Sequence, residues 1–154
     1  MQFSLIIQFL IASLFAGNLL NAQSPVSWTC QAVKIQEDEF EIRLTATIKD
    51  GWHIYASRQG ENFIGKATHV KFNPHPLIVM QGNVKEVGNI IKTKEELMGI
   101  ETLEIRNKVE YIQKIKVKSA TKTALSGQIE FQSCTDETCL TPTRFDFSII
   151  LNEH

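Results

Sequence analysis

The sequence predicts an all-β fold, an immunoglobulin-like antiparallel β-sandwich. Three observations lead to this class: several short segments alternate apolar and polar residues, turn residues separate these segments, and helical periodicity is nearly absent. The one stretch with a helical pattern, "TKEELMG", is at most about two turns long. Many short strands in a chain of 154 residues fit a single domain of two packed sheets.

The clearest predicted strand is "EFEIRLTATI", in which Phe40, Ile42, Leu44, Ala46 and Ile48 point to one face and the polar residues point to the other. The segments "KVEYIQKIKVK", "GQIEFQS" and "RFDFSIIL" repeat this pattern with few exceptions, and "ATHVKFN" and "PLIVMQGNVKEV" are further predicted strands. Turn signals lie between the segments, at Asp50-Gly51, Asn73-Pro74, Pro76, Gly82-Asn83 and Gly127.

The N-terminal segment "MQFSLIIQFLIASLFAGNLLNAQS" carries no charged side chain. Its apolar stretch, Leu5 to Ala16, is too short to span a bilayer comfortably, and small and polar residues follow it. We interpret residues 1–22 as a signal peptide cut after Ala22, so that residues 23–154 form one periplasmic or otherwise exported domain. The alternative is an uncleaved membrane anchor, because no Lys or Arg precedes the apolar run.

The charge composition excludes several classes of function. With 16 basic and 17 acidic residues the net charge is -1, and no basic stripe exists that would bind nucleic acid or an anionic membrane surface. A hydrolase is also excluded, because the sequence has no Gly-x-Ser-x-Gly motif and no cluster of Ser, His and Asp. We expect no small-molecule cofactor.

Three cysteines lie in the predicted mature chain, and two of them, Cys134 and Cys139, are close neighbours in "CTDETC". Disulfides persist outside the cytosol, so the close pair is the natural bridge. The odd count means that at least one thiol is left over or pairs between chains, and this leaves Cys30. Cys30, in the strand-like "SWTCQAVKI", is predicted to be a small buried apolar side chain, with a reactive group as the alternative.

The Cys134–Cys139 pair allows three interpretations. As a structural staple, its short ring would contribute roughly 2 kcal/mol, the low end for disulfides. As a redox centre, a short-ring disulfide at a strand edge would be open to in-line attack by a thiolate. As a metal site the pair lacks ligands, since structural zinc takes four and the histidines are scattered, at His53, His69, His75 and His154. The redox interpretation explains more than the other two, and the staple stays open.

Two carboxylates, Asp136 and Glu137, lie between the sulfurs. Nearby carboxylates raise the pKa of a thiol and make it a slow nucleophile. Slow reaction with random partners suits a carrier that hands electrons to a specific docked protein. The alternative is that both carboxylates belong to a solvated turn.

Three stretches carry a family resemblance: "IKDGWHIY" (Ile48 to Tyr55), "EELMG" (Glu95 to Gly99) and "EFQSCTDETCLTPTRFDFSI". Across nearly all of the predicted mature chain, the sequence resembles the N-terminal periplasmic domain of the thiol:disulfide interchange protein DsbD, of the disulfide-bond corrector domain family. The first stretch is similar to the family's strand, Asp-Gly turn and aromatic pair. The second falls where the family has its cap loop over the cysteines, and the third is similar to its cysteine hairpin.

The resemblance implies a β-sandwich whose disulfide relays reducing equivalents outside the cytoplasmic membrane, as a component of a protein-disulfide reductase. It implies that Cys139 forms mixed disulfides with partners and that Cys134 resolves them. The other implied site residues are a cap loop and two nearby aromatics: Glu96, Leu97, Met98, Gly99, Trp52 and Tyr55. For both aromatics the alternative is packing at the edge of the core.

The implied partners are a separate membrane electron-carrier protein, which supplies electrons, and exported thioredoxin-like proteins, which receive them. The alternative function is a non-catalytic immunoglobulin-like binding or scaffold domain with a structural bridge. The two functions differ in reduction potential, because a structural bridge lies below about -300 mV and a relay lies nearer its exchange partners.

Overall fold

The computed structural model describes residues 24–95, 99–118 and 122–151. The predicted signal peptide, residues 1–22, lies outside this part of the chain. Within it, no helix is long and apolar enough to cross a membrane. The described residues form strands β1 (Val26–Lys34), β2 (Glu39–Ile48), β3 (His53–Tyr55), β4 (His69–Phe72), β5 (Ile78–Glu95), β6 (Ile100–Val117), β7 (Thr123–Phe131), β8 (Ser133–Cys134) and β9 (Thr143–Leu151).

The strands build two sheets. The larger sheet has the order β1-β2-β6-β3-β8, with β5 paired along the other side of β6, and the smaller sheet has the order β4-β7-β9. Every pairing is antiparallel. The predicted immunoglobulin-like antiparallel β-sandwich is confirmed.

The core lies between the sheets and follows from the alternation in the sequence. The five apolar residues of β2 that were predicted to share a face are all buried, from 0% to 4% exposed. Trp28 of β1 joins the two layers, because its ring lies 6.0 Å from Tyr111 in the larger sheet and 5.5 Å and 6.1 Å from Phe131 and Phe145 in the smaller one. Aromatic pairs at such distances add to the energy of apolar burial.

The segment "TKEELMG", predicted to be a short helix, is not helical in its described residues. Its first three residues, Thr93 to Glu95, end strand β5, and Thr93 lies opposite Thr102 of β6. The two hydroxyl groups are hydrogen-bonded to each other, a cross-strand pair that favours sheet over helix. The prediction of a short helix is therefore wrong for these residues, and residues 96–98 lie outside the described part.

The chain changes sheets just before the first bridged cysteine. The sequence predicts one strand over "GQIEFQS", with Cys134 at its end. Instead, β7 ends at Phe131 in the smaller sheet, and Ser133 and Cys134 pair with β3 in the larger one. The single-strand prediction is wrong because Gln132 carries the crossing, and apolar periodicity does not mark such a step.

A close approach in the smaller sheet requires a glycine. Gly127 of β7 lies between Phe72 and Phe147 on the neighbouring strands, whose rings meet edge to face at 5.6 Å. A Cβ at this position would overlap the carbonyl oxygen of Lys71 and the ring of Phe147. The glycine therefore makes room for this aromatic pair.

We expect Gly127→Ala to lower the free energy of unfolding by about 1–3 kcal/mol, because it overpacks this contact. Urea unfolding followed by circular dichroism measures the change. Gly60→Ala is the matched control, since a Cβ at Gly60 has no neighbour within 4 Å. Equal effects of the two substitutions would contradict the packing explanation.

Candidate functional site

A disulfide joins β8 to the segment that follows it. Cys134 and Cys139 are bonded at an S–S distance of 2.04 Å, with their Cα atoms 4.0 Å apart. The predicted bridge is confirmed. Cys30 is a free thiol on β1 that is only half-buried, although it packs against the core as predicted. Burial raises the pKa of this thiol.

The turn between the two cysteines is closed by hydrogen bonds that do not involve sulfur. The N–H of Thr135 donates to the carbonyl oxygen of Thr138 at 2.8 Å. The hydroxyl oxygen of Thr135 accepts from the N–H groups of Glu137 and Thr138 at 3.2 Å and 3.1 Å. After the turn, the N–H of Leu140 donates to the carbonyl oxygen of Ser133 at 2.9 Å. The hairpin therefore has a backbone frame of its own.

The two bridged residues differ in exposure. Cys134 is 0% exposed, because β8 lies against β3 with Cys134 directly opposite His53. Cys139 lies beyond the turn and is exposed. Thiol–disulfide exchange needs access for in-line attack on one sulfur. Of the two bridged residues, Cys139 is therefore the one that an incoming thiolate can approach.

Tyr55 and Phe63 form an aromatic pair beside the exposed cysteine. The hydroxyl group of Tyr55 lies 3.7 Å from the Sγ atom of Cys139, and it is the donor because a bridged sulfur carries no hydrogen. Burial raises the pKa of Tyr55, and the negative charge of Glu104 adds to this effect, so the hydroxyl keeps its proton. The ring of Phe63 lies 4.8 Å from the ring of Tyr55 in an edge-to-face arrangement.

Sequence reasoning missed Phe63. The available signal was an apolar pair, Phe63-Ile64, in the otherwise polar loop "SRQGENFIGKA". The position of Phe63 in this loop depends on Gly65, whose φ of 142° lies in a region that favours glycine. A Cβ at Gly65 would come within 2.9 Å of the Phe63 ring and 3.2 Å of the Tyr55 ring.

The other predicted aromatic, Trp52, does not belong to this aromatic pair. Its side chain packs against the hydrophobic core. Its backbone N–H closes the Asp50-Gly51 turn by donating to the carbonyl oxygen of Lys49 at 3.1 Å. Core packing, the alternative stated for both aromatics, describes the position of Trp52, whereas Tyr55 contacts the bridge.

The predicted cap loop falls mostly outside the described residues. Glu96, Leu97 and Met98 belong to the undescribed part, and Gly99 is exposed between β5 and β6. Tyr55 pairs with Glu104 of β6, and Ile100 lies four residues further along β6, roughly 13 Å at the rise of a strand. The described residues at this end of the hairpin therefore do not test the cap role, which stays a prediction.

A buried pair of ionisable side chains lies behind the bridge. His53 is 3% exposed and Glu104 is 8% exposed, and Nε2 of His53 lies 3.7 Å from Oε1 of Glu104. Burial lowers the pKa of His53, and the nearby charge of Glu104 opposes that shift. The imidazole is therefore neutral at neutral pH.

Arg106 connects this buried pair to the cysteine turn. Its guanidinium group donates to Oε2 of Glu104 at 3.0 Å and to Oδ1 of Asp136 at 2.7 Å. The hydrogen bond from Arg106 lowers the pKa of the Asp136 carboxyl group. The rise in thiol pKa that the sequence predicted from Asp136 is consequently opposed by a positive charge. Arg106 lies 30 residues from Asp136 in the chain, so the sequence did not predict that Arg106 contacts the turn.

The chemistry that this arrangement permits is sulfur exchange. The site presents one exposed and one buried cysteine in a disulfide, with a hydrogen bond from the Tyr55 hydroxyl group to the sulfur of the exposed cysteine. The neutral imidazole of His53 lies on the strand that pairs with the buried cysteine. Within the described ranges, no group of three or more His, Cys, Asp or Glu side chains is placed to hold a metal ion.

No protein-family model matches the sequence, and no curated protein matches it. Among solved structures, the chain is similar to the N-terminal domain of DsbD from Neisseria meningitidis in its reduced form. The identity is 16% and the TM-score 0.50, over 82% of this chain and 86% of that chain. It is also similar to the N-terminal periplasmic domain of ScsB from Proteus mirabilis. Here the identity is 18% and the TM-score 0.57, over 86% of this chain and 48% of that chain. The chain therefore has the fold of a DsbD-like N-terminal domain, as the sequence resemblance predicted.

Proposed function

We propose that this protein is an exported thiol:disulfide interchange domain that relays reducing equivalents through the Cys134–Cys139 bridge. The observation that carries the proposal is the asymmetry of the bridge, since Cys139 is exposed and Cys134 is fully buried. A relay must accept attack at a defined sulfur and keep the other sulfur for resolution. The fold likeness to the DsbD and ScsB domains supports the same function.

The exchange has two steps in each direction. A thiolate of an electron donor attacks Sγ of Cys139, the bridge breaks, and the electron pair goes to Sγ of Cys134. A second donor thiol then resolves the mixed disulfide, which leaves both cysteines reduced. In the forward transfer, Cys139 attacks the disulfide of an acceptor, and Cys134 then attacks Cys139 and releases the reduced acceptor.

The partners in this proposal are proteins. A membrane electron-carrier protein supplies the electrons, and exported thioredoxin-like proteins receive them. A periplasmic location fits both, and the ScsB domain of the same fold is periplasmic. The exposed position of Cys139, next to the exposed side chain of Leu140, leaves room for such a protein to dock.

The geometry gives little support for a purely structural role of the bridge. The bridge closes a ring with a sequence separation of 5, for which the loss of chain entropy amounts to only about 2 kcal/mol. The Thr135 hydrogen bonds and the ion pair between Arg106 and Asp136 already hold the turn. A bridge that is not needed to shape the turn is free to open and close.

We expect Cys134→Ser to accumulate a mixed disulfide with an exported thioredoxin-like protein, because Cys139 then reacts and cannot be resolved. Non-reducing electrophoresis and mass spectrometry measure the adduct. The experiment uses a Cys30→Ser background, so that the third thiol does not contribute. Cys139→Ser in the same background is the matched control and should trap little, since Cys134 is buried.

The control also decides the roles of the two cysteines. Trapping by Cys139→Ser alone would reverse them. If neither variant traps any of several thioredoxin-like proteins, the relay proposal is wrong and the binding-domain alternative takes its place.

We expect the double variant Cys134→Ser, Cys139→Ser to stay folded and to lose about 2 kcal/mol of unfolding free energy, because the ring is short. Urea unfolding of this variant and of the oxidised wild type measures the difference. An unfolded variant at room temperature would support the staple interpretation against the relay.

We expect Phe63→Ala to speed reduction of the bridge by dithiothreitol, because it removes the ring that packs on Tyr55 beside Cys139. An aromatic pair contributes about 0.5–1.5 kcal/mol, which corresponds to a rate increase of roughly 2- to 10-fold. Stopped-flow reduction kinetics measure it. Ile64→Ala is the control, since Ile64 is 71% exposed, and an equal acceleration by both variants would argue against shielding by Phe63.

A further inference from the structure

The imidazole of His53 has a buried nitrogen without a partner. His53 is 3% exposed, and its Nδ1 atom finds no hydrogen bond in the part of the chain that the structure describes. Buried polar atoms are nearly always hydrogen-bonded, so an orphaned one in a native site calls for an explanation. The residue paired with His53 on the neighbouring strand is a cysteine of the bridge.

Cys134 is the residue directly opposite His53 in the pairing of β3 with β8. Side chains of directly opposed residues in an antiparallel pair lie on the same face, with Cβ atoms about 4.5–5.5 Å apart. Both residues are buried, so no bulk water separates the imidazole from the sulfur. In the oxidised protein, Sγ of Cys134 is bonded to Sγ of Cys139 and has no proton to exchange.

The surroundings of His53 orient its other nitrogen. Nε2 faces Oε1 of Glu104 at 3.7 Å. A carboxylate favours the N–H of a neutral imidazole on the nitrogen that faces it, and this tautomer has its lone pair on Nδ1. Glu104 is itself fixed, because it accepts from the hydroxyl of Thr93 at 2.9 Å and from Arg106 at 3.0 Å. The Tyr55 ring lies edge to face on the imidazole at 5.5 Å.

We propose that His53, oriented by Glu104, is the proton partner of Cys134 during thiol–disulfide exchange. This inference rests on the relay function proposed above and assigns a role to a residue that the sulfur chemistry alone does not require. His53 acts on Cys134, the buried sulfur, and not on Cys139, the attacked one.

The proton balance of each transfer includes His53. When a thiolate of a donor protein breaks the bridge at Cys139, the electron pair of the S–S bond stays on Cys134, which becomes a buried thiolate. The imidazole takes up a proton from solvent and shares it with this thiolate through Nδ1. When a Cys139 mixed disulfide is resolved, Nδ1 accepts the proton of the Cys134 thiol. The Cys134 sulfur then bonds to Cys139, and the partner leaves with the electron pair as a thiolate. The imidazolium finally releases its proton to solvent, because His53 is neutral in the oxidised protein.

The charged groups around the imidazole come from three elements. Strand β6 contributes Glu104, which favours the imidazolium, and Arg106, which disfavours it; the cysteine turn contributes Asp136, which favours it. Strand β3 contributes Tyr55, which keeps its proton. Burial outweighs these charges in the oxidised protein, so that His53 is neutral and Nδ1 is free to accept.

The test uses Ellman's reagent, an aromatic disulfide, on reduced protein in a Cys30→Ser background. The exposed Cys139 attacks first and releases one thionitrobenzoate, and Cys134 then resolves the mixed disulfide and releases the second. We expect His53→Gln to slow the second release by roughly 100-fold at pH 7, the low end for loss of a general base. The first release should change by less than about twofold, because it does not involve Cys134.

The pH profile separates a proton role from a structural one. In the wild type, the rate of the second release should level off near neutral pH. In His53→Gln it should keep rising about tenfold per pH unit towards the pKa of an unassisted thiol. Glu104→Gln should give an intermediate profile, and His69→Gln, at an exposed position of β4, should match the wild type. Unchanged second release in His53→Gln would overturn the inference.

A second measurement avoids the buried substitution, should His53→Gln not fold. The imidazole of His53 is titrated by NMR in the oxidised and the reduced wild type. We expect the His53 titration to differ between the two redox states. Identical His53 curves would overturn the proton role.

The two proposals fail differently in these experiments. If neither thiol of the folded, reduced protein reacts with the reagent, the relay itself is wrong and the inference falls with it. If both releases occur but neither depends on His53, only the inference is wrong.

Discussion

The site depends on a backbone pairing of two residues. Ser133 and Cys134 of β8 pair with Ile54 and His53 of β3, and this short ladder is the edge of the larger sheet. It buries one sulfur against the sheet and lets the chain turn outwards before the second. Without it, both cysteines would lie on a free loop, and nothing would distinguish an attacked sulfur from a resolving one.

The crossing between the sheets makes this pairing possible. Phe131 is buried at 2% exposure at the end of β7, and Gln132 carries the chain over to the other layer. The Gln132 side chain then secures both sides of the site: its amide oxygen accepts from the N–H of Lys66 at 2.9 Å, and its amide nitrogen donates to the carbonyl oxygen of Leu140 at 3.0 Å. The loop that carries Phe63 and the segment after Cys139 are thereby held by one side chain.

The sequence predicted those features of the structure that depend on residues close together in the chain. The alternation in β2 and the short spacing of Cys134 and Cys139 are properties of neighbouring residues, and both predictions are confirmed by the structure. The crossing at Gln132 and the contact of Phe63 with Tyr55 depend on packing between distant segments, which periodicity does not encode. The same holds for Glu104. In the sequence it is an ordinary polar residue of a strand, and only the fold brings it beside His53.

A buried carboxylate at this position is costly unless it is paired and hydrogen-bonded. Glu104 meets that condition through Arg106 and Thr93, and Arg106 also holds Asp136 on the cysteine turn. The charge behind the bridge and the position of the turn are thus set by one arginine. A partner that pulled the turn away from the sheet would separate Arg106 from Asp136 and leave Arg106 with Glu104. Under the proposed role of His53, such a movement would change the electrostatic field at the imidazole and thereby affect protonation beside the buried sulfur.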